Sequence, residues 1–471
     1  MVRTRFAPSP TGHMHIGNLR TALYEYLIAK NNGGIFVLRI EDTDQSRYVD
    51  TAMDVIFETL RITGLNYDEG PGVGGEYGPY IQSERKDHYL PYANQLVEKG
   101  KAYYCFCPKE RMEELDGKYD RHCHSLPKDE IDQKLANGQP YVIRQFIPEG
   151  KTTFSDEVFG KITIDHEEIE DQILLKSDGM PTYNFANVVD DHTMAITHVV
   201  RGSEYLTSTP KYNLLYEAFG WDIPTYVHLP LMLNEQGEKI SKRRGDASFQ
   251  DLLDMGYLPE AIVNYIAFLG WSSPDNREYF TLADLIEAFN VKNISKSPSL
   301  FDYKKLGWVN GEHIKNMPEN DFYKIAAPIL QSSINKPGVD FKYIAKMVQS
   351  RIQLIKEIPE MVDFIDQLPD YDPELFTHKK MKTDSPIALK ALQTILPIYK
   401  DINTWDSESL SAAATECAKN LEFKNSQVLW PIRTALSGKP SSPCGASELC
   451  VLLGKEESLK RLEAGILKLN S

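Results

Sequence analysis

Arg5-Phe6-Ala7-Pro8-Ser9-Pro10-Thr11-Gly12-His13-Met14-His15-Ile16-Gly17-Asn18 decides how this chain folds. A short strand breaks at two prolines, passes a glycine and enters an apolar-periodic segment that runs from Ile16 to about Lys30, which predicts strand, loop and helix in that order. A second apolar run, Ile35 to Ile40, ends in Glu41-Asp42-Thr43-Asp44 and is followed by a helical pattern from Thr51 to Leu60. Alternating strand and helix predicts a parallel α/β layer. The same alternation returns much later, where strand-like runs at Ala195–Val200 and Thr225–Leu229 flank a helix from about Pro210 to Phe219. The α/β layer is therefore expected in two halves, residues 1–100 and 181–245, split by an α+β insertion over 101–180. Beyond Gly245 the signals turn helical, with a helical region over 246–320 and an all-helical domain over 321–471.

A chain of 471 residues is long enough for several such domains. With 42% hydrophobic and 25% charged residues it reads as globular, and no stretch approaches the roughly 18 consecutive apolar residues a membrane helix needs. Met1-Val2-Arg3-Thr4-Arg5 leads into a strand and not into an apolar signal core, so a cytoplasmic location is expected. Six cysteines are too few for a disulfide scaffold. The net charge of −15 repels a polyanion overall, so any nucleic acid has to be met by local basic surfaces.

Three constellations carry chemistry. The glycines and histidines from Ser9 to Asn18 sit at a strand-to-helix turn, where backbone can approach a ligand and the helix start offers free amides to an anion; no Gly-Lys-Ser or Gly-Lys-Thr follows, so this is not a Walker loop. Lys239-Ile240-Ser241-Lys242-Arg243-Arg244-Gly245 places four cations in six positions, a loop suited to close over a polyphosphate. Cys105-Phe106-Cys107 is followed by His122-Cys123-His124, giving three thiolates and an imidazole for a tetrahedral zinc. The fourth ligand would be His124 or else His122, and the other reading is a zinc-free insertion with reduced, partly packed cysteines.

Read together, His15-Ile16-Gly17-Asn18 resembles the HIGH signature, and Lys239-Ile240-Ser241-Lys242-Arg243 the KMSKS signature, of class I aminoacyl-tRNA synthetases. The flanking runs Leu38 to Asp44, Pro181 to His192 and Val200 to Leu206 are similar to the bacterial-type glutamyl-tRNA synthetases, a resemblance that extends to Gly438–Pro443. Asn18, Ile240 and Arg243 depart from the signatures in ways associated with the glutamyl branch.

The resemblance implies a class I Rossmann-like parallel sheet split by an insertion that holds the tRNA acceptor end, then a stem-contacting region and an anticodon-binding domain. It implies glutamate activation by ATP with Mg2+, then transfer to the terminal adenosine of the tRNA for glutamate. A non-discriminating form would also charge the tRNA for glutamine, and a catalytically silent RNA-binding paralogue is the remaining alternative. By resemblance, Arg5 and Arg201 contact substrate carboxylate, Glu41 takes the ammonium, and Ala7, Ser9, Tyr183 and Asn187 complete the amino-acid site. Thr11, Gly12, His15, Gly17, Glu204, Lys239 and Lys242 lie with ATP, and His15 and Lys242 serve the chemistry. Some relatives carry zinc through Cys-x-Cys and Cys-x-His, which here points to Cys105, Cys107, Cys123 and His124. Lys342, Lys346, Arg351, Lys356 and Arg433 are candidates for the anticodon, and a monomer is expected.

Overall fold

The computed structural model describes residues 1–44, 49, 51–115, 119–240 and 247–470. They form two compact units, one of residues 1–254 and 258–309 and the other of 255–257 and 310–471.

In the first unit the opening motif forms strand β1 (Arg3–Phe6), the Ala7–His15 turn and helix α1 (Ile16–Asn31). β2 (Ile35–Leu38) returns parallel to β1, with Arg3 opposite Ile35 and Phe6 opposite Leu38. Helices α2 (Ala52–Ile62) and α3 (Lys86–Glu98) follow. The intervening region contains β3 (Ala102–Cys105), α4 (Lys109–Glu114), α5 (Lys128–Ala136), β4 (Val142–Gln145), β5 (Lys151–Asp156), β6 (Gly160–Asp165) and β7 (Ile173–Leu175). The chain then resumes the α/β alternation with α6 (Tyr183–Thr193), β8 (His198–Gly202), α7 (Thr209–Phe219) and β9 (Thr225–Leu229).

β8 and β9 are parallel and in register from His198/Thr225 to Gly202/Leu229. The two halves of the layer meet at Thr197, whose N–H donates to Arg3 O at 3.0 Å while its Oγ1 accepts from Arg3 N–H at 2.9 Å. The intervening region is not a self-contained module. β3, β4 and β7 form a separate antiparallel sheet, but the β5–β6 hairpin joins the parallel sheet, with Asp156 on β5 opposite Tyr226 on β9. Sequence periodicity could not reveal this, because β5 alternates buried and exposed residues like any half-buried strand, whichever sheet it joins.

α1 is buried along most of its length, since it passes under β1 and also meets the later helix α9 (Pro259–Ala267), which follows α8 (Phe249–Asp254). Two polar side chains lock it there: Tyr24 Oη donates to Ala267 O at 2.8 Å, and the Arg20 guanidinium donates to Leu269 O and Pro230 O at 2.6 Å each. A second core joins Tyr89 and Leu96 of α3, Ile143 of β4, Leu174 of β7, Phe185 and Val189 of α6, and Leu215 of α7, so the antiparallel sheet packs on helices of the α/β layer.

The second unit has no strand among its described residues. Polar side chains tie its helices through backbone carbonyls: Gln349 Nε2 donates to Ile314 O and Met317 O, and Arg461 Nη1 to Phe364 O and Leu436 O.

One carboxylate in the first unit holds three donors. Asp190 on α6, with no solvent exposure, accepts from Arg85 Nε at 2.8 Å, Gln82 Nε2 at 2.9 Å and Tyr89 Oη at 3.0 Å. Removing it leaves a buried guanidinium uncompensated. Asp190→Ala is therefore expected to lower the unfolding free energy by about 3–5 kcal/mol, read as a shift of the urea midpoint.

Candidate functional site

A cleft of about 420 Å3 opens at the carboxyl ends of β1, β8 and β9, where open parallel sheets place their ligands. Arg5, Ala7, Ser9, Thr11, His15, Gly17, Glu41, Tyr183, Arg201, Glu204 and Lys239 all line it.

The turn after β1 is tight. Thr11 N–H donates to Ser9 O at 2.9 Å, and Gly12 takes a φ of +112°, which favours glycine; Gly12 itself does not line the cleft. His15 is the N-cap of α1, its Nδ1 accepting the Gly17 N–H at 3.0 Å. A side chain at Gly17 would crowd the ring, since its Cβ would stand 3.1 Å from that Nδ1. Because Nδ1 accepts, the neutral imidazole carries its proton on Nε2, a donor at the positive end of a long helix.

Deeper in, buried charges are interlocked. Asp191 Oδ1 accepts from Arg5 Nε at 3.0 Å and from Arg39 Nη1 at 2.7 Å; Arg39 Nη2 also donates to Glu41 at 2.9 Å, and Arg5 Nη1 to Glu25 at 3.1 Å. Against the cost of burial, the two guanidiniums hold Asp191 below the usual carboxylate range. Burial outweighs those cations at Glu41 and lifts its carboxyl. The second oxygens of Glu41 and Glu25 have no partner among the described residues.

Arg201 is different. It is nearly buried, yet its hydrogen bonds go to His228 Nε2 and Thr209 Oγ1, each at 3.3 Å, with its face 4.3 Å from the Tyr212 ring centre. No carboxylate among the described residues forms an ion pair with it. At the mouth, Lys239 Nζ pairs with Glu204 Oε1 at 3.0 Å. Lys242 lies outside the described residues. Asn187, four residues after Tyr183 on α6, is buried and is not among the residues that line the cleft.

Residues 1–308 match the model of the class I tRNA synthetase (E and Q) catalytic domain, and 321–466 that of an anticodon binding domain. The chain is 56% identical to a glutamate–tRNA ligase of Clostridium kluyveri and 57% to one of Clostridium novyi, over 99% of this chain and 98% of each relative. It belongs to the glutamate–tRNA ligase family. The family's solved structures agree in fold: a glutamate tRNA ligase of Elizabethkingia meningosepticum in complex with its amino acid superposes with a TM-score of 0.84 at 33% identity, over 99% of both chains. A glutamate–tRNA synthetase of Elizabethkingia anophelis gives 0.86.

The cysteine cluster departs from the family pattern read in the sequence. Cys105, Cys107 and Cys123 lie with their sulfurs within 4.8 Å of one another, but His124 does not join them. Its ring stacks on Phe146, centroids 4.3 Å apart, and its neighbour His122 is exposed. The group beside the thiols is Tyr119, whose Oη is 3.2 Å from Cys105 Sγ and 3.7 Å from Cys107 Sγ. A hydrogen bond with Cys123, aided by Tyr119, pushes the Cys105 thiol down to about 4.

Glu25, Arg39, Asp191, Asp156 and His228 received no role from sequence reasoning. The available signal was charge where a strand or helix should be apolar: Arg39 inside the Ile35–Ile40 run and the Asp190-Asp191 pair on α6.

His228 is fully buried, and that burial holds its imidazole below the ordinary value although Asp156 opposes the shift. The unfolded chain takes up this proton below about pH 6.5 and the folded one does not, so folding loses stability as the pH falls. His228→Gln, which cannot titrate, is expected to be less stable than the unaltered chain at pH 7, with the gap narrowing by pH 5 in urea unfolding.

Proposed function

We propose that this chain joins L-glutamate to the tRNA for glutamate in two steps. An α-carboxylate oxygen of glutamate attacks the α-phosphorus of ATP, the bond to the bridging oxygen of the β-phosphate breaks, and pyrophosphate leaves. A hydroxyl of the terminal adenosine of the tRNA then attacks the acyl carbon, and AMP leaves. The substrate is its own nucleophile, so the protein's task is positioning and charge stabilisation.

The observation that carries this reading is the pairing of Arg201 and Glu41 in one cleft: a buried guanidinium without a carboxylate, and a buried carboxylate with one oxygen to spare. They match the distal carboxylate and the ammonium of glutamate. Arg5, already paired with Asp191 and Glu25, orders that wall, while Ala7, Ser9 and Tyr183 complete the amino-acid subsite and Asn187 stands four residues beyond Tyr183 on the same helix. His15 donates through Nε2 to phosphate, with Thr11, Gly12 and Gly17 giving backbone room. Glu204 meets the nucleoside, and Lys239 and Lys242 supply positive charge for the pyrophosphate. Mg2+ accompanies ATP, held largely by phosphates and water.

A second recess, lined by Ser9, Thr11, Glu41, Lys176, Pro181 and Tyr183, adjoins the cleft and offers space for the terminal adenosine. Residues 101–180 hold the acceptor end, 246–320 the stem and 321–471 the anticodon, the last supported by the anticodon-domain match. The enzyme works as a cytoplasmic monomer.

The test is transfer of radiolabelled glutamate, with ATP and Mg2+, to each purified tRNA. Charging of the tRNA for glutamate alone is expected; charging of the tRNA for glutamine as well would make the enzyme non-discriminating, and charging of neither would refute the activity. In the same assay Arg201→Ala is expected to raise the glutamate KM by about 10- to 100-fold, the worth of a charged contact. Lys242→Ala should instead depress kcat and leave that KM nearly unchanged.

The thiol cluster suits zinc, with Tyr119 and not His124 as the fourth ligand. Mass-spectrometric metal analysis should find about one zinc per chain, unchanged in His124→Ala. Loss of zinc in that variant, with retention in Tyr119→Phe, would restore the histidine.

A further inference from the structure

The cation assigned to the substrate side chain is held by His228, which Asp156 holds in turn, and neither residue belongs to the motif segments or the cleft lining. Asp156 closes β5, the hairpin strand that joins the parallel sheet opposite Tyr226. Its Oδ1 accepts the backbone N–H groups of Val158 and Phe159, and its Oδ2 accepts both the backbone N–H of His228 at 3.0 Å and the ring Nδ1–H at 2.8 Å. Asp156 therefore dictates the tautomer. With the ring proton on Nδ1, His228 Nε2 has only a lone pair to present, and it receives the Nε–H of Arg201. The opposite tautomer would set donor against donor. Thr209 Oγ1 takes an Nη2 hydrogen and the Tyr212 ring covers one face of the guanidinium.

We propose that Asp156 and His228 are positioning residues for glutamate recognition, a neutral relay that orients Arg201 so that its far edge receives the side-chain carboxylate of the substrate. The proposal rests on the reading of Arg201 as that carboxylate's partner. A neutral acceptor suits the task better than a carboxylate. It fixes the guanidinium plane without neutralising it, so the full charge stays available to tell an acid from its amide, whereas Arg5, held by Asp191 and Glu25, has its charge already balanced. The relay also gives the β5–β6 hairpin a function: its docking on β9 brings Asp156 to His228.

The experiment is steady-state aminoacylation by the full chain, varying glutamate and ATP separately, with His228→Asn, His228→Gln and Arg201→Ala. Asparagine keeps an amide for Asp156 but removes the acceptor for Arg201; glutamine reaches the Nε2 position and restores an acceptor. His228→Asn is expected to raise the glutamate KM about tenfold while kcat and the ATP KM stay within about twofold, and His228→Gln to recover most of that loss. A glutamate KM unchanged in His228→Asn but raised in Arg201→Ala would overturn the relay and leave the reading of Arg201 standing. An unchanged KM in Arg201→Ala would remove that reading, and the relay with it. A general fall in kcat with both KM values disturbed would mark a structural role only and also overturn the proposal. Should His228→Asn not fold by circular dichroism, Thr209→Val, which strips the other neutral acceptor, must show the same split or the proposal fails.

Discussion

Charge buried in a low-dielectric interior has to be matched, and the active layer of this protein is organised around that requirement. Asp191 lies between Arg5 and Arg39, with Glu25 and Glu41 at the outer ends of the two guanidiniums. These five groups come from β1, α1, the end of β2 and α6, so pairing them draws both halves of the split sheet together. Losing any one member strands an ion away from water, a penalty of several kcal/mol that makes the arrangement all-or-none. Such a network adds little stability compared with an apolar core. What it supplies is a rigid electrostatic floor for the cleft, in which Arg5 and Arg39 already have their counterparts.

Arg201 is held differently. Beside the carboxylate-paired Arg5 and Arg39, a guanidinium held by imidazole and hydroxyl acceptors keeps an unspent positive charge beside aromatic faces. In the proposed role of Arg201, pre-organisation of this kind avoids reorganisation when a carboxylate arrives and disfavours a neutral isostere, which would not answer the cation. His15 follows the same logic: the helix it caps decides which ring nitrogen carries the proton.

The β5–β6 hairpin links the inserted region to that charge design. It is contiguous in sequence with the antiparallel sheet of β3, β4 and β7, yet it is bonded to β9 and delivers Asp156 to the floor of the parallel sheet. The inserted region therefore has a short covalent and hydrogen-bonded route to Arg201.

The alternation of strand and helix, the split of the α/β layer, the helical C-terminal third and the two signature segments were all legible in the sequence, because period, turn residues and motif chemistry are local properties. Part of the cleft lining was legible through the motif resemblance: Ala7, Ser9, Thr11, His15 and Gly17 share one turn, and Glu41 and Arg201 stand where strands end. What the sequence could not determine is which buried charges meet. Asp156 and His228 are 72 residues apart, and Arg5 and Asp191 are 186 apart. No local pattern encodes such a pairing, nor that Tyr119 and not His124 turns toward the cysteines. Those contacts exist only once the sheet order and the packing of α6 against β1 bring distant residues within hydrogen-bond reach. Composition and periodicity thus determined the scaffold and its motifs, and tertiary structure alone decided which buried charges are paired with one another.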